Sequence, residues 1–447
     1  MSGTAEPYGR EGLPLDQARQ QLLASLGSKA QIDAESLPLC ECMGRVNAVA
    51  TTATADVPGF RASIMDGYAL GQAHQPRVGD SWSLQGRSAA GAPFPGALKA
   101  GEAIRILTGA PLPTGADWVL PQELIDASDD TITLAREASA SPWIRAADEE
   151  CRSGTTLINA GVRLGAADLG RLAGCGIATL KVNRKPRIGL LVSGDELIPP
   201  GEQRPEGAIW ESNSTLLEAM LHQLGYGIHH KKVEVDQPDA LRQSLHELAT
   251  RCDVVVTTGG VSAGDTDWIR PLVAELGDVQ FWKLFLKPGR PFAFGWIGNH
   301  VPFFGLPGNP VAAAITALQL LWPALQQLEG QAVLETFPRI QVELANQYRR
   351  RPGRPELARA RLDVASDGRL LARIEGSQAP RGSAPSREPI YSLKSPLTQV
   401  PSKPAATFGL SCSAAACSET RVTAAYSRAT KCLGQRAIPV SRTVHRA

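Results

Sequence analysis

The stretch best equipped for chemistry is Cys252-Asp253-Val254-Val255-Val256-Thr257-Thr258-Gly259-Gly260-Val261-Ser262-Ala263-Gly264-Asp265-Thr266-Asp267. Its first half is apolar and β-branched, the pattern of a buried strand. Its second half is a loop rich in glycine and small hydroxyl residues, and helical spacing resumes over 268–276. Strand, glycine loop and helix start together turn backbone N–H groups toward an anion. Gly259, Gly260 and Gly264 let the backbone approach closely, and Ser262 adds a hydroxyl donor. Asp265 and Asp267 would repel a phosphate unless a divalent cation stood between, and they are hard oxygen ligands of the kind Mg²⁺ takes. The same residues also read as a tight turn with Asp267 as a helix N-cap. A second candidate is the pair Lys283 and Lys287. Four-residue spacing puts both ammoniums on one face of a helix or one side of a strand, and either arrangement suits an oxyanion. A solvated basic face is the alternative reading.

Positioning these groups falls to a run of alternating strands and helices over 186–330. The pattern predicts strand 187–192, helix 213–224, strand 228–235, helix 239–249, strand 252–257, helix 267–276, strands 279–285 and 301–305, and helix 311–328. Such alternation implies a doubly wound, mainly parallel sheet. Ligands of these sheets bind beyond the carboxyl ends of the strands. Ser193-Gly194-Asp195-Glu196, the glycine loop and Pro307-Gly308-Asn309 all fall at such ends, so they can converge on one crevice.

Around this unit the pattern changes. Residues 14–50 read as interrupted helix, with Leu15, Ala18, Leu22 and Leu26 in one stripe. Residues 155–182, helix and short strand, are expected to pack on that segment, giving a discontinuous helical domain of 12–50 and 149–185. Residues 51–148 are β-rich, with polar turns at Asp66-Gly67 and after Thr108 that also read as hairpin tips. The α/β domain is taken as 186–331. A small β domain follows over 332–377, with strands at 339–344, 357–362 and 370–374. Beyond it, 378–447 is basic and rich in Ser, Ala and Pro, and reads as a disordered or out-of-frame tail.

The bulk composition narrows the functional classes. A chain of 447 residues suggests two to four domains. Residues 376–447 hold 10 Lys and Arg against 2 Asp and Glu, leaving the first 375 residues near −6. A mildly acidic body argues against nucleic acid as the main partner. The eight cysteines form no CxxC pair and no zinc spacing, consistent with reduced thiols in a cytoplasmic protein. Nothing near residue 1 reads as a signal peptide, and the apolar stretch 301–325 is broken by Pro302, Gly305, Pro307, Gly308 and Pro310. It reads as strand, turn and buried helix, not as a membrane span. The seven histidines lie outside the glycine loop, the other strand-end loops and the lysine pair, so neither a Ser/His/Asp triad nor histidine general-base chemistry is expected.

Six separate stretches together resemble the molybdopterin molybdenumtransferases, the family of bacterial MoeA and the gephyrin E domain. They are Ser63-Ile64-Met65-Asp66-Gly67-Tyr68-Ala69, Arg105-Ile106-Leu107-Thr108-Gly109-Ala110, Ser193-Gly194-Asp195-Glu196-Leu197, Gly259-Gly260-Val261-Ser262-Ala263-Gly264, the segment from Trp282 through Lys283, Lys287 and Arg290 to Gly295, and Gly305-Leu306-Pro307-Gly308-Asn309-Pro310. They occur in the family's order, and the likeness spans about 12–377. The resemblance implies insertion of molybdate into adenylylated molybdopterin with release of AMP and with Mg²⁺ present. A four-domain homodimer with its cleft between subunits is implied too, with a molybdopterin adenylyltransferase as upstream partner.

By the same resemblance, Asp66 matches a metal- or water-positioning carboxylate and Thr108 a hydroxyl donor. Glu196, Asp236 and Asp267 match acidic cleft residues, with Mg²⁺ at Asp267 and either Glu196 or Asp66. Lys283 and Lys287 match paired lysines for molybdate or a substrate phosphate, while Ser193, Gly194, Gly259, Gly260, Ser262, Gly264, Pro307, Gly308 and Asn309 match the pterin-binding loops. Arg359 and Ser377 match cleft residues of the last domain. Two departures stand out. The family's Gly-Glu-Asp turn is Asp148-Glu149-Glu150 here, and the likeness stops abruptly near 377. Two rival functions remain open: a molybdopterin adenylyltransferase, which resembles only the 186–330 domain, and a non-enzymatic scaffold of the gephyrin type.

Overall fold

The structure is a computed structural model that describes residues 12–27, 32–261, 268–298, 300–337, 339–348, 353–374, 391–394 and 407–411. Two compact units emerge, one formed by residues 34–182 and the other by 1–33 with 183–447.

The second of these contains the sheet anticipated from the alternating pattern. Six strands lie in the order Ile228–Glu234, Ile188–Ser193, Val254–Thr258, Val301–Leu306, Pro291–Ile297 and Gly277–Lys283. The first four run parallel, Pro291–Ile297 runs antiparallel to them, and Gly277–Lys283 pairs antiparallel to Pro291–Ile297 at the edge. Pro291–Ile297 is a strand that the pattern did not predict. Its proline stands at the first position, where a missing N–H does least harm to a ladder.

Alternation along the parallel strands sends side chains into two cores. Leu190, Val192, Val254 and Val256 face the helices Asn213–Gln223 and Pro310–Leu328. Leu191 and Val255 face Pro238–Arg251 and Ile269–Leu276 on the other side. Burial on both faces explains why these strands read as unbroken apolar runs. Pro310–Leu328 is long and apolar enough to cross a bilayer, yet 78% of its apolar window is buried within this domain. A π turn over Ala317–Leu321 interrupts it.

Helix Leu15–Leu26 departs from expectation. Its stripe Leu15, Ala18, Leu22 and Leu26 is buried with Leu320, Leu321 and Trp322 of the sheet domain, not with residues 155–182. Arg19 Nη2 donates to Gln319 Oε1 at 2.8 Å, and Gln327 Nε2 donates to the Leu23 carbonyl at 2.8 Å, pinning the helix to that neighbour. An amphipathic stripe fixes which face is buried but not which partner buries it.

At the C-terminal side, Arg339–Leu344, Leu370–Arg373, Leu357–Val364, Tyr391–Lys394 and Thr407–Ser411 close into a barrel. Val342, Leu344, Ala358, Ala372 and Ile374 form its core. The domain expected to end near 377 therefore takes two further strands, and Thr407–Ser411 closes the ring by pairing antiparallel to Arg339–Leu344. Ser377 and the rest of the expected tail lie outside the described residues.

In the unit formed by 34–182, six strands run in the order Trp118–Pro121, Gly67–Leu70, Glu102–Ile106, Ser81–Ser88, Thr131–Leu134 and Ile125–Ala127. A smaller sheet sets Thr179–Asn183 between Ala34–Pro38 and Val46–Asn47, and Thr156–Ile158 pairs with Thr51–Thr52. Chain on either side of the β-rich segment thus pairs, but as strands and without the first helix.

Candidate active site

Asp66 and Thr108 are 42 residues apart and meet because their strands are neighbours. Gly67–Leu70 pairs antiparallel with Glu102–Ile106, Gly67 opposite Ile106, so the residue before one strand faces the loop after the other. Thr108 donates twice to Asp66 Oδ1, from its amide at 2.7 Å and its hydroxyl at 2.8 Å. Those two donors, the amide first, hold the exposed Asp66 carboxyl below the usual carboxylate range. Gly67 keeps this corner tight, since a Cβ there would lie 1.9 Å from the Leu120 carbonyl oxygen. The nearby turn carries Glu149 and Glu150, both bonded to Arg145, and Asp148 bonded to Arg152.

In the other unit the three strand ends do converge. Gly259 (φ +93°) follows Val254–Thr258, and a Cβ there would stand 2.9 Å from the Ser193 carbonyl oxygen. On its other side, a Cβ on Gly308 would contact Gly259 Cα at 3.5 Å. Gly260 is also left-handed, at φ +65°. Asn213, at the start of its helix and only 8% exposed, ties the loops together. Its Nδ2 donates to Thr258 Oγ1 at 2.7 Å and to the Gly308 carbonyl at 2.8 Å, and Thr258 Oγ1 donates on to the Pro307 carbonyl at 3.3 Å. Asn309 caps the helix that begins at Pro310, its Oδ1 accepting from the Ala312 amide at 3.1 Å. Sequence reasoning placed Asn213 only at the start of the helix predicted over 213–224; its bonds to two distant loops have no local signature. Ser262, Gly264 and Asp267 lie outside the described residues.

Beside this junction stand Asp195, Glu196 and Asp236, at the ends of Ile188–Ser193 and Ile228–Glu234. Gly194 donates to the Glu234 carbonyl at 3.3 Å and Asp236 donates its amide to Asp195 Oδ1 at 2.9 Å, which binds the two ends together. Burial pushes the Asp236 carboxyl above its usual range. A hydrogen bond from Ser193 opposes this, and the charges of Asp195 and Glu196 add to it. Carboxylates are hard oxygen donors of the type Mg²⁺ takes, but these three do not form a ready cation site. Among the described residues no group of three or more His, Cys, Asp or Glu is arranged to hold a metal ion.

The lysines adopt neither of the two expected geometries. Lys283 ends the strand Gly277–Lys283, its carbonyl accepting from Leu13 at 2.7 Å. The chain then leaves the sheet, and Lys287 forms a bridge with Glu356 instead of continuing the strand. Lys287 Nζ donates to Glu356 Oε1 at 2.9 Å. Arg359 lies on the barrel strand Leu357–Val364.

Comparison with known proteins gives this geometry a context. Residues 13–176 match the family model described as MoeA N-terminal region (domain I and II), and residues 189–327 match the one described as probable molybdopterin binding domain. The molybdopterin molybdenumtransferase of Haemophilus influenzae is 33% identical over 372 residues, covering 82% of this chain and 90% of that protein. Its counterpart in a Nostoc species is 30% identical, covering 68% of this chain and 71% of its own length. A crystal structure of a molybdopterin biosynthesis MoeA protein from Pyrococcus horikoshii superposes with a TM-score of 0.74 at 25% identity, covering 90% of this chain and 98% of that one.

Proposed function

Because the chain belongs to the molybdopterin molybdenumtransferase family, we propose that it inserts molybdate into adenylylated molybdopterin and releases AMP. Membership makes it a transferase of molybdenum cofactor biosynthesis; the adenylylated substrate, the Mg²⁺ requirement and the residue roles are the further reading. One observation carries it: Ser193, Gly259 and Gly308 meet at the carboxyl ends of three parallel strands, beside Asp195, Glu196 and Asp236. The left-handed backbone at Gly259 and Gly260 carries no side chain there, so a phosphate can approach the loop closely.

The two lysines are the cationic groups assigned to molybdate, and they offset charge on the departing AMP. Asp66, held ionised by Thr108, orients water or substrate donors. Asp267, with either Glu196 or Asp66, would hold Mg²⁺, and Asp236 is a further acidic residue of the cleft. Bound there, Mg²⁺ would neutralise the pyrophosphate for cleavage. The protein we envisage is a cytoplasmic homodimer that receives its substrate from a molybdopterin adenylyltransferase.

The test is turnover by the purified full chain with adenylylated molybdopterin and molybdate, following AMP release and reconstitution of a molybdenum enzyme, with and without Mg²⁺. AMP release that requires molybdate and Mg²⁺ supports the reading. Adenylylated product from molybdopterin and ATP alone would move the assignment to the adenylyltransferase. No turnover in either assay would favour a scaffold. Light scattering at twice the chain mass would support the dimer.

A further inference from the structure

Glu356 is only 6% exposed, yet its sole ion-pair partner among the described residues is the half-exposed Lys287. The seam on which it sits does not depend on its carboxylate. The Lys287 amide donates to the Pro355 carbonyl at 2.9 Å, and the Leu357 amide donates to the Lys287 carbonyl at 2.8 Å. Arg354 Nη1 adds a bond to the Leu286 carbonyl at 3.2 Å, and Leu286 and Leu357 are buried in the same core. Behind the lysine, Gly289 is left-handed, and a Cβ there would stand 2.8 Å from Thr316 Cγ2, so the turn sits close on its helix. Backbone and apolar contacts thus fix the Lys287 main chain. What they leave free is its long side chain, and that is what Glu356 holds. A buried carboxylate is expensive to desolvate and is a poor choice for simple adhesion. An ammonium has three donors, and Glu356 Oε1 takes one of them.

We propose that Glu356 is a positioning residue: it holds Lys287 in one orientation, with its remaining donors directed to the oxyanion, and so acts in the reaction only through Lys287. This rests on the reading of Lys287 given above. The pairing makes Lys287 a directional donor in place of a mobile charge. Removing the carboxylate therefore lowers the rate of the chemical step without weakening the attraction for an anion.

The experiment compares the full chain with Lys287→Met, Glu356→Gln, Glu356→Asp and the double variant Lys287→Met/Glu356→Gln. It measures kcat and the KM for molybdate during insertion, with a thermal melt for each protein. Glu356→Gln is expected to lower kcat about tenfold with KM for molybdate unchanged or lower. Glu356→Asp, one methylene shorter, should lie between Gln and the parent, and it serves as the test if Glu356→Gln does not fold. The double variant should fall no further than Lys287→Met alone. Losses that multiply in the double variant, a raised KM at unchanged kcat, or a Glu356→Asp slower than Glu356→Gln would each overturn the positioning role. Should Lys287→Met itself turn over like the parent, the assignment of the lysine fails, a result distinct from failure of the pairing.

Discussion

Asp66 takes both of its Thr108 hydrogen bonds on one oxygen, one from the backbone and one from the hydroxyl. The backbone donor survives substitution by any residue but proline, so Thr108 divides the interaction cleanly. Thr108→Val is expected to lower kcat/KM by about tenfold, and Thr108→Ser to stay close to the parent; equal losses in both would show that the hydroxyl does nothing. Asp253 offers a test of stability instead of rate. Burial alone would raise its carboxyl, but Arg184, the Arg187 side chain and the Arg187 amide outweigh this and hold it at about 2. A carboxyl depressed in the folded state stabilises fully above its unfolded value, near 4, and that stability is lost as pH falls from about 4 through about 2. Asp253→Asn should thus cost on the order of 2 kcal/mol at neutral pH and flatten the acid limb of urea midpoints between those limits. An acid limb as steep as the parent's would contradict it. Singly, these residues were partly legible. Asp66 and Thr108 announced themselves as polar turn positions, whereas Glu356 is one carboxylate among many until its distant lysine is seen.

The junction of strand ends is the element on which substrate binding depends, and Asn213 is its pin. Asn213→Ala removes two hydrogen bonds and strands a buried carbonyl and hydroxyl, a loss of roughly 1–3 kcal/mol. We expect a lower denaturant midpoint together with a raised KM for adenylylated molybdopterin. Gly259→Ala should be harsher, because the left-handed backbone and the Ser193 carbonyl oxygen 2.9 Å away both exclude a Cβ; wild-type binding by that variant would rule out the tight approach described. Much of this was readable in advance. Continuous β-branched runs that end in glycine specify buried parallel strands and open loops, and topology then forces their ends together. Not readable was the partner of helix Leu15–Leu26, because a stripe of leucines carries no address. The lysine geometry was equally hidden: a four-residue spacing is compatible with helix, strand or the turn actually found.

At the scale of the whole molecule, the unresolved choice was where the folded chain stops. The family likeness stops near 377, and the sequence pattern ends the small β domain there. Yet Tyr391–Lys394 pairs antiparallel with Leu357–Val364, and Thr407–Ser411 pairs with both Tyr391–Lys394 and Arg339–Leu344. Without those two strands, Arg339–Leu344 and Leu357–Val364 would each present an open edge, and open edges pair with other chains. A chain ended after Ser411 keeps every described strand of the barrel. It should melt like the full chain and elute at the same oligomeric size. A chain ended after Ser377 loses the two closing strands and should aggregate or elute as higher oligomers. Lys287 rests against Glu356, on the segment leading into this barrel, so the shorter chain should also lose turnover beyond its loss of soluble protein. Equal solubility, melting and activity for the two truncations would mean that the barrel closes without its last strands and that the fold ends where the family likeness does.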